Sequence, residues 1–556
     1  MIGIEAFLEI LAAAGVKYIF GNPGTTELPL NDAMGRDSRL QYILGLHEVP
    51  VLAMADGYAM ASGQVGVCNV HIACGLGNSL GMLYNAWCEG TPLVLTAGQQ
   101  DRRLRFSEPV LEGDLVRVAS PWTKWSAEVQ RAADIPSAVR RAIQVALTPP
   151  TGPVFLSLPI DVQMAPIERP DLAPPCRIDR RVRPALESVE RASAVLAGAR
   201  RPVILAGSRV TESGGCQALA RLAETWGAPV FAENTTAHGR LPLAADHPLY
   251  AGILPYWSPE VRRRLEEFDV ALAAGLNVLR LYIHQEPERP LPEQLRLVQI
   301  DCDAWQIGKN YPVEVGVWGD VRCALEEVDQ LLARLQSDED RSAAAARAAS
   351  WAARRATAQE SLRREIADQP HTPGALAPLQ LMHALARVLP PDAAVVEESI
   401  TTHHNVLERL GVFRDPTGHF AHRGWALGWG LGCALGVKLA WPDRPVVGLL
   451  GDGASLYGVQ GLWTAARYRI PVTFVVANNR EYRILKVCGH VLRMPELARG
   501  ERPGLDLDEP AIDFPGLSRA FGVEARRATT ADELSDLVRG NLHGSGPLVI
   551  EAPVTR

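Results

Sequence analysis

The stretch GLLGDGASLYGVQGLWTAARYRIPVTFVVANN, residues 448–479, contains two apolar runs separated by a helical pattern. Runs of this length, rich in Val, Leu and Phe, predict buried strands. The first strand ends at Gly451-Asp452-Gly453 and the second at Asn478-Asn479. A strand–helix–strand order predicts two parallel strands whose carboxyl ends lie at the same edge of a sheet. We therefore expect the oxygens of Asp452 and Asn479 to lie close together.

Oxygen ligands at that edge suit a hard cation. Mg²⁺ prefers octahedral oxygen coordination, commonly one or two carboxylates with phosphate oxygens and water. Asp452, the Asn479 amide and the backbone carbonyl of Glu481 could hold Mg²⁺ against a diphosphate, with Gly451 and Gly453 letting the backbone approach closely. Either motif alone could be a simple turn, but their occurrence at two strand ends indicates a cation–diphosphate site.

The same alternation of strand and helix patterns extends over most of the chain. It predicts an α/β protein of three doubly wound parallel-sheet domains, at residues 1–170, 185–336 and 372–556. A Pro-rich charged stretch separates the first two, and an Ala-, Arg- and Glu-rich helix connects the second to the third.

The composition excludes several classes of function. A net charge of −7 and 47% hydrophobic residues over 556 residues indicate a globular protein with neither a nucleic-acid surface nor an anionic-membrane surface. The nine cysteines show no C-x-x-C pair, and the first 21 residues lack a basic region and a cleavage site. These features predict a cytoplasmic protein without a membrane span.

Four further phrases carry a family resemblance: FGNPGTTELP at 20–29, ADGYAMASG at 55–63, NVHIACGLGN at 69–78 and VKLAWPDRPVVGLLGDG at 437–453. With the 448–479 stretch, they make the chain resemble the decarboxylases and carboligases that depend on thiamine diphosphate (ThDP), and within these the benzoylformate decarboxylase group. The resemblance implies ThDP and Mg²⁺ as cofactors and a 2-oxo acid as substrate. It also implies a homodimer at minimum and a homotetramer as the usual assembly.

The resemblance assigns a role to each of the three domains. Residues 1–170 would bind the pyrimidine of ThDP, 185–336 would form a central Rossmann-like domain, and 372–556 would bind the diphosphate and Mg²⁺. The cofactor-binding residues implied are Asn22, Pro23, Gly24, Gly77, Ile400, Thr401, Trp425, Leu427, Gly451, Gly453, Ala454 and Tyr482.

Glu48 begins an apolar run that predicts a buried helix, and a buried carboxylate without a partner is costly. In the family, a glutamate at this place bonds the aminopyrimidine and promotes its imino tautomer. The resemblance therefore implies that the partner of Glu48 is ThDP rather than another side chain.

Four other residues are implied in catalysis. Thr25 would contact the substrate carboxylate, and His71 would shuttle protons near the cofactor because the pKa of histidine lies near neutrality. His284 would be a second histidine from the central domain, and His403 would lie near the substrate pocket. Simple structural roles remain alternatives for Thr25 and His71.

The specific reaction is left open by the sequence. The leading hypothesis is non-oxidative decarboxylation of a 2-oxo acid, with or without carboligation of an aldehyde. The nearest alternative is a carboligase or lyase of the acetolactate synthase or benzaldehyde lyase type. A NAD dehydrogenase is disfavoured because no strand leads into a full G-x-G-x-x-G motif. In the pocket segment NNREYRILKVCG, Ile484 and Cys488 replace an alanine and a phenylalanine of the benzoylformate enzyme, and Arg480, Arg483 and Lys486 add positive charge.

Overall fold

The computed structural model describes residues 1–176, 178–233, 239–500 and 502–556 of the protein. The first of its three sheets comprises β1 (Tyr18–Gly21), β2 (Gln41–Leu44), β3 (Gly66–Val70), β4 (Leu93–Gln99), β5 (Ser126–Glu128) and β6 (Val154–Pro159). Its helices are α1 (Gly3–Ala13), α2 (Leu28–Met34), α3 (Glu48–Ser62), α4 (Ile72–Glu89), α5 (Leu115–Ala119), α6 (Ile135–Leu147) and α7 (Ile160–Met164). All residues of β3, β4 and β6 are buried, as expected for parallel strands covered on both faces.

The second sheet comprises β7 (Pro202–Ala206), β8 (Val230–Ala232), β9 (Tyr250–Ile253), β10 (Val270–Ala274), β11 (Arg296–Asp301) and β12 (Val315–Trp318). Its helices are α8 (Leu186–Ala197), α9 (Ser208–Glu212), α10 (Cys216–Trp226), α11 (Ser258–Leu265) and α12 (Val321–Leu335). The 30-residue helix α13 (Asp338–Ala367) then leads to the last part of the chain. Ser337 begins α13 with a capping box to Asp340.

The third sheet comprises β13 (Ala394–Glu398), β14 (His419–Phe420), β15 (Val446–Gly451), β16 (Thr473–Asn478), β17 (Glu524–Arg527) and β18 (Leu548–Pro553). Its helices are α14 (Pro378–Ala386), α15 (Val406–Leu410), α16 (Trp429–Ala440), α17 (Asp452–Leu456), α18 (Gly461–Tyr468), α19 (Arg483–Val491), α20 (Pro495–Arg499), α21 (Phe514–Ala520) and α22 (Ala531–Asn541). All named strands pair in parallel, which confirms the predicted α/β fold with three doubly wound sheets.

The first and third sheets have the same topology. Their strand orders are β2-β1-β3-β4-β6-β5 and β14-β13-β15-β16-β18-β17. The strand order reverses between β1 and β3 in the first sheet and between β13 and β15 in the third. Ligands of doubly wound sheets bind at such switch points. The loops after β1, β3, β13 and β15 are therefore where a ligand is expected.

Helices α3 and α16 join the first and third sheets by close packing. A Cβ on Gly436 would lie 2.0 Å from the Met54 carbonyl oxygen, so only glycine permits this approach. The Trp429 indole Nε1 donates a 2.6 Å hydrogen bond to Asp56 Oδ2 across the same contact. Among the helices of the described residues, none is long and apolar enough to cross a membrane.

Candidate active site

Glu48 is the first residue of α3, the helix that follows the loop after β2, and only 4% of its surface is exposed. Its Oε1 accepts a 3.0 Å hydrogen bond from the Asn22 amide, and its Oε2 accepts one of 3.0 Å from the Asn78 amide. Two side chains therefore partner Glu48 within the chain, which corrects the expectation that none does, while the contact with ThDP stays a prediction. Two amides hold the carboxylate from the loop after β1 and from α4, which fixes its orientation.

Glu27 is a buried acid that the sequence reasoning did not identify. Its Oε2 accepts a hydrogen bond from the Gly24 N–H at 3.0 Å, and its Oε1 accepts from the Gly98 N–H at 2.7 Å and the Thr26 hydroxyl at 2.9 Å. The same Oε2 lies 2.6 Å from His71 Nδ1. The E in FGNPGTTELP was a possible signal, because an acid that becomes buried in a turn after a strand needs partners.

His71 lies immediately after β3 and caps the start of α4. The contact with Glu27 engages Nδ1, and 18% of the His71 side chain is exposed. Gly24 packs directly on the ring, since a Cβ there would lie 2.1 Å from His71 Nδ1. The Glu27–His71 pair is the carboxylate–imidazole arrangement that fixes a histidine tautomer and leaves Nε2 for proton exchange.

Thr25 and Thr26 differ in what they can contact. Thr26 is 3% exposed, and its hydroxyl bonds Glu27, while its carbonyl accepts from the Gln163 amide at 2.9 Å. Thr25 is exposed in the single chain. Of the two hydroxyls, that of Thr25 is therefore the accessible one, and its contact with the substrate stays a prediction. Asn22, Pro23 and Gly24 lie in the same turn, and Gly77 is exposed on α4.

Asp452 and Asn479 follow the adjacent strands β15 and β16, where the sequence places them. Asp452 Oδ1 accepts from the Gly453 N–H at 2.8 Å and Oδ2 accepts from the Arg480 N–H at 2.6 Å, so the acid bridges the two strand ends. Asn479 Oδ1 accepts from the Glu481 N–H at 3.0 Å. Burial raises the pKa of the Asp452 carboxyl above its ordinary value, and the nearby Glu481 charge adds to this rise.

The positive charges of the pocket segment are largely compensated. Arg483 lies 3.3 Å from Glu481 Oε1, and the Lys486 ammonium pairs with the other Glu481 oxygen and with Asp506 at 2.5 Å. Glu481 is 5% exposed. These pairs fix the start of α19 beside the Asp452 loop, with Tyr482 packed against Gly453.

Residues 424–428 form a loop between the two outer sheets. The backbone N–H of Ala426 donates to Asn85 Oδ1 at 3.0 Å, and the Ala426 carbonyl accepts from the Asn85 amide at 2.8 Å. Trp425 has a φ of +66° and donates its N–H to His422 Nδ1 at 2.8 Å. Asn85 lies on α4, so the helix that follows His71 also positions Trp425 and Leu427.

The loop after β13 contains Ile400, Thr401 and His403. Glu398 closes the strand and accepts hydrogen bonds of 3.0 Å from three consecutive N–H groups at the start of α16. His403 is 7% exposed, with Nδ1 accepting from the Asn405 N–H at 3.1 Å and lying 3.4 Å from Glu397 Oε1. Ala454 is buried in α17, on the neighbouring strand end.

His284 lies on the surface of the single chain. Its side chain is 72% exposed, and its Nε2 is 3.8 Å from Glu286 Oε1. The neighbouring Tyr282 packs on Trp425, with 4.8 Å between ring centroids. The structure therefore brings the His284 loop to the Trp425 loop, while the His284 imidazole points to solvent in one chain.

The arrangement matches the donor set that a diphosphate-bearing cofactor with a divalent cation requires. Asp452, Asn479 and the Glu481 carbonyl are hard oxygen donors, which suit Mg²⁺. Both oxygens of the buried Asp452 accept from backbone N–H groups, and a bound cation would offset its charge.

Three family models match the chain. The N-terminal TPP binding domain of thiamine pyrophosphate enzymes matches residues 1–114, the central domain of these enzymes matches 189–328, and their C-terminal TPP binding domain matches 399–552. The chain therefore belongs to the thiamine pyrophosphate (ThDP) enzyme family, in the group of decarboxylases and acetolactate synthases.

Two relatives and one solved structure are similar to this chain over nearly its whole length. Benzoylformate decarboxylase of Pseudomonas aeruginosa is 34% identical over 99% of this chain and 98% of its own. A probable acetolactate synthase large subunit of Methanocaldococcus jannaschii is 29% identical over 99% of this chain and 91% of its own. The solved ThDP-dependent 4-hydroxybenzoylformate decarboxylase of Rhodococcus jostii RHA1 superposes with a TM-score of 0.87 at 30% identity, covering 100% of this chain and 99% of its own. The predicted family is thus confirmed, and the protein is an enzyme.

Proposed function

We propose that the protein is a ThDP- and Mg²⁺-dependent decarboxylase of a 2-oxo acid. One observation carries this proposal: two sheets of identical topology hold complementary chemistry at their switch points. The first presents the carboxylate of Glu48 and the imidazole of His71, which can move protons. The third presents the oxygens of Asp452 and Asn479, which can hold a cation and a diphosphate.

The third sheet would hold the charged end of the cofactor. Asp452, Asn479 and the Glu481 carbonyl would bind Mg²⁺, and the turn that contains Gly451 and Gly453 would approach the diphosphate. Its other proposed contacts are Ile400, Thr401, Ala454 and Tyr482, with Leu427 and Trp425 beneath the ring system. When bound, ThDP would supply a nucleophilic carbon for the 2-oxo carbonyl and a cationic ring able to take up the electron pair left as CO₂ departs.

Glu48 would exchange a proton with the pyrimidine ring. The amides of Asn22 and Asn78 orient its carboxylate, and its 4% exposure keeps water away. Gly77 and the Asn22-Pro23-Gly24 turn would line the same space. A hydrogen bond formed in this dry setting is stronger than one in water.

The Glu27–His71 pair favours a decarboxylase over a synthase. After CO₂ leaves, a decarboxylase must protonate carbon, whereas a synthase passes that carbon to a second carbonyl. The pairing of Nδ1 with Glu27 leaves His71 Nε2 to deliver the proton. Thr25 would hold the substrate carboxylate by its hydroxyl, and His403 and His284 would serve as further proton-transfer groups. Carboligation of an aldehyde is the proposed side activity.

Aromatic side chains near the site support an aromatic 2-oxo acid. Tyr282 lies 4.8 Å from Trp425 and 6.3 Å from Tyr256, measured between ring centroids. Burial raises the pKa of the Cys488 thiol, and the Tyr282 hydroxyl hydrogen-bonds to that thiol. Such edge-to-face clusters accommodate an aryl group well. The 4-hydroxybenzoylformate and benzoylformate decarboxylases to which the chain is similar take aryl substrates by name.

Two copies of the chain would build each site. Within the described residues, no hydrogen bond links the Glu48 group (Glu48, Asn22, Asn78) to the Asp452 group (Asp452, Asn479). A two-fold pair of chains would bring the Glu48 group of one copy to the Asp452 group of the other, giving a dimer and, by further association, a tetramer.

A substrate panel tests the proposal. Purified protein with ThDP and Mg²⁺ would receive benzoylformate, phenylpyruvate or pyruvate, each with and without acetaldehyde, while CO₂ and products are quantified. The proposal predicts free aromatic aldehyde as the main product, dependent on both cofactors, with the Glu48→Gln variant as the background control. Efficient conversion of pyruvate to acetolactate with little free aldehyde would instead establish a synthase.

A further inference from the structure

A buried cluster of two carboxylates and an imidazole lies at the β14 edge of the third sheet. Glu397 is on β13, His419 is on β14 and Glu408 is on α15. Their exposed fractions are 1%, 0% and 1%, respectively. One potential ligand atom from each lies within 4.8 Å of those of the other two. None of these residues takes part in the proposed ThDP or Mg²⁺ binding.

The two distances from His419 to the carboxylates are close to those between metal ligands. His419 Nε2 lies 3.6 Å from Glu397 Oε2 and 3.7 Å from Glu408 Oε1. A tetrahedral ion with bonds of about 2.0–2.2 Å separates its ligand atoms by about 3.3–3.6 Å. A single proton on His419 Nε2 could form a hydrogen bond to only one of the Glu397 and Glu408 oxygens, which are nearly equidistant from it. One metal ion can bind all three atoms.

The other oxygen of Glu397 supplies an independent observation. Glu397 Oε1 is buried and accepts no hydrogen bond within the described part of the chain. His403 Nδ1 lies 3.4 Å away, but this nitrogen already accepts the Asn405 N–H and so has no proton to donate. Burying a carboxylate oxygen that accepts no hydrogen bond costs free energy unless a positive charge is close.

We propose that Glu397, Glu408 and His419 bind a divalent transition-metal ion, with zinc as the expected species. Mg²⁺ and Ca²⁺ favour oxygen ligands, whereas an imidazole beside two carboxylates suits zinc and its first-row neighbours. The full burial of all three ligands keeps the site away from substrate, and three protein ligands leave a fourth position for water.

The position of the site gives the ion a role. Two of its ligands, Glu397 and Glu408, flank residues 398–407, which include Ile400, Thr401 and His403. An ion bound to both flanks and to β14 would fix this loop beside the proposed diphosphate and substrate positions. The inference concerns these three residues and does not depend on the identity of the substrate.

Metal analysis of the full-length protein tests the proposal. Wild type would be equilibrated with zinc, desalted and analysed for metal per chain, alongside Glu408→Gln, His419→Gln and, as the matched control, Asp452→Ala. We expect about one zinc per chain in wild type and Asp452→Ala, and at least about tenfold less in the two cluster variants. Equal zinc in wild type and the cluster variants, or none in wild type, would overturn the proposal.

A second measurement uses only the wild-type protein, so its outcome does not depend on how the variants fold. Chelator-treated wild type would be titrated with Co²⁺ and its visible spectrum recorded. We expect saturable absorption bands of a low-symmetry cobalt site that added zinc removes, and a higher melting temperature with either ion. A spectrum identical to that of aqueous Co²⁺, with an unchanged melting temperature, would contradict the proposal.

Discussion

At the scale of single residues, Asp452 carries the cation half of the proposed site. Its two oxygens accept the Gly453 and Arg480 N–H groups, which aim the carboxylate across two strand ends. Burial raises the pKa of this carboxyl, so it becomes protonated at a higher pH than an ordinary aspartate. Retention of Mg²⁺ should therefore fall at a higher pH than it would with an unshifted aspartate.

Asp452→Ala removes the carboxylate and should weaken binding of both Mg²⁺ and ThDP by at least about tenfold, since metal and diphosphate share the site. The measurement is the amount of each that remains after dialysis at neutral pH. The control is Asp443→Asn, an exposed aspartate of the same sheet. Undiminished retention in Asp452→Ala would exclude this aspartate as a ligand.

Residues at strand ends were predictable, whereas residues defined by distant contacts were not. Asp452 and Asn479 follow from two apolar runs and one parallel pairing rule. The role of Glu27 depends on Gly98 and His71, which lie 71 and 44 positions away in sequence. The two amides on Glu48 depend likewise on how the β1 and β3 loops converge, which periodicity cannot specify.

At the scale of elements, α3 and α16 form the contact that joins the two outer sheets. Both helices were expected from their apolar patterns, but these patterns do not show that α3 and α16 pack against each other. The Gly436 backbone and the Met54 carbonyl come too close for any side chain at residue 436. The contact between the two helices therefore depends on positions without a Cβ, among them Gly436, Gly432 and Gly57.

Gly436→Ala should destabilise the protein by about 1–3 kcal/mol, because the added methyl must push α3 and α16 apart. Gly540→Ala is the matched control, since a Cβ at this α22 position would have no neighbour within 4 Å. The midpoint of urea denaturation reports the difference. Equal midpoints for the two variants would show that the helix contact is looser than described.

The burial of Asp56 predicts a pH-dependent stability. Burial raises the pKa of Asp56 to about 6 in the folded protein, above its usual 3.8, so ionisation costs stability as the pH rises through this window. Between pH 5 and pH 7.5, wild type should lose about 1 kcal/mol relative to Asp56→Asn, which cannot ionise. Denaturation of both proteins at the two pH values measures this. If the difference in stability between wild type and Asp56→Asn is the same at both pH values, the raised pKa of Asp56 is refuted.

At the scale of the whole molecule, the first and third sheets repeat one topology but carry different chemistry. The three sheets, their order along the chain and the family followed from sequence patterns and motifs. Assembly is implied only by the family resemblance, because it depends on surfaces that have no periodic signature. Each sheet supplies half of the proposed site, so the arrangement of two chains determines whether the halves meet.

Mixed dimers test that arrangement. Glu48→Gln and Asp452→Ala should each be nearly inactive alone. Coexpressed in equal amounts, they should recover about a quarter of wild-type activity, because half the dimers are mixed and one of two sites in each is intact. Purification through two different tags isolates the mixed species. No recovery in that species would place both halves of each site within one chain.

The central claim is that Glu48 activates ThDP, and the exchange of the C2 proton of bound ThDP with deuterium tests it most directly. Wild type and Glu48→Gln would be loaded with equal ThDP and Mg²⁺, mixed with D₂O, quenched at intervals and analysed by NMR. Glu314→Gln, an exposed acid of the central sheet, is the control. We predict that Glu48→Gln slows exchange at least about a hundredfold, in step with the loss of turnover, while the control matches wild type. Exchange at the wild-type rate in Glu48→Gln, with ThDP bound, would contradict the account.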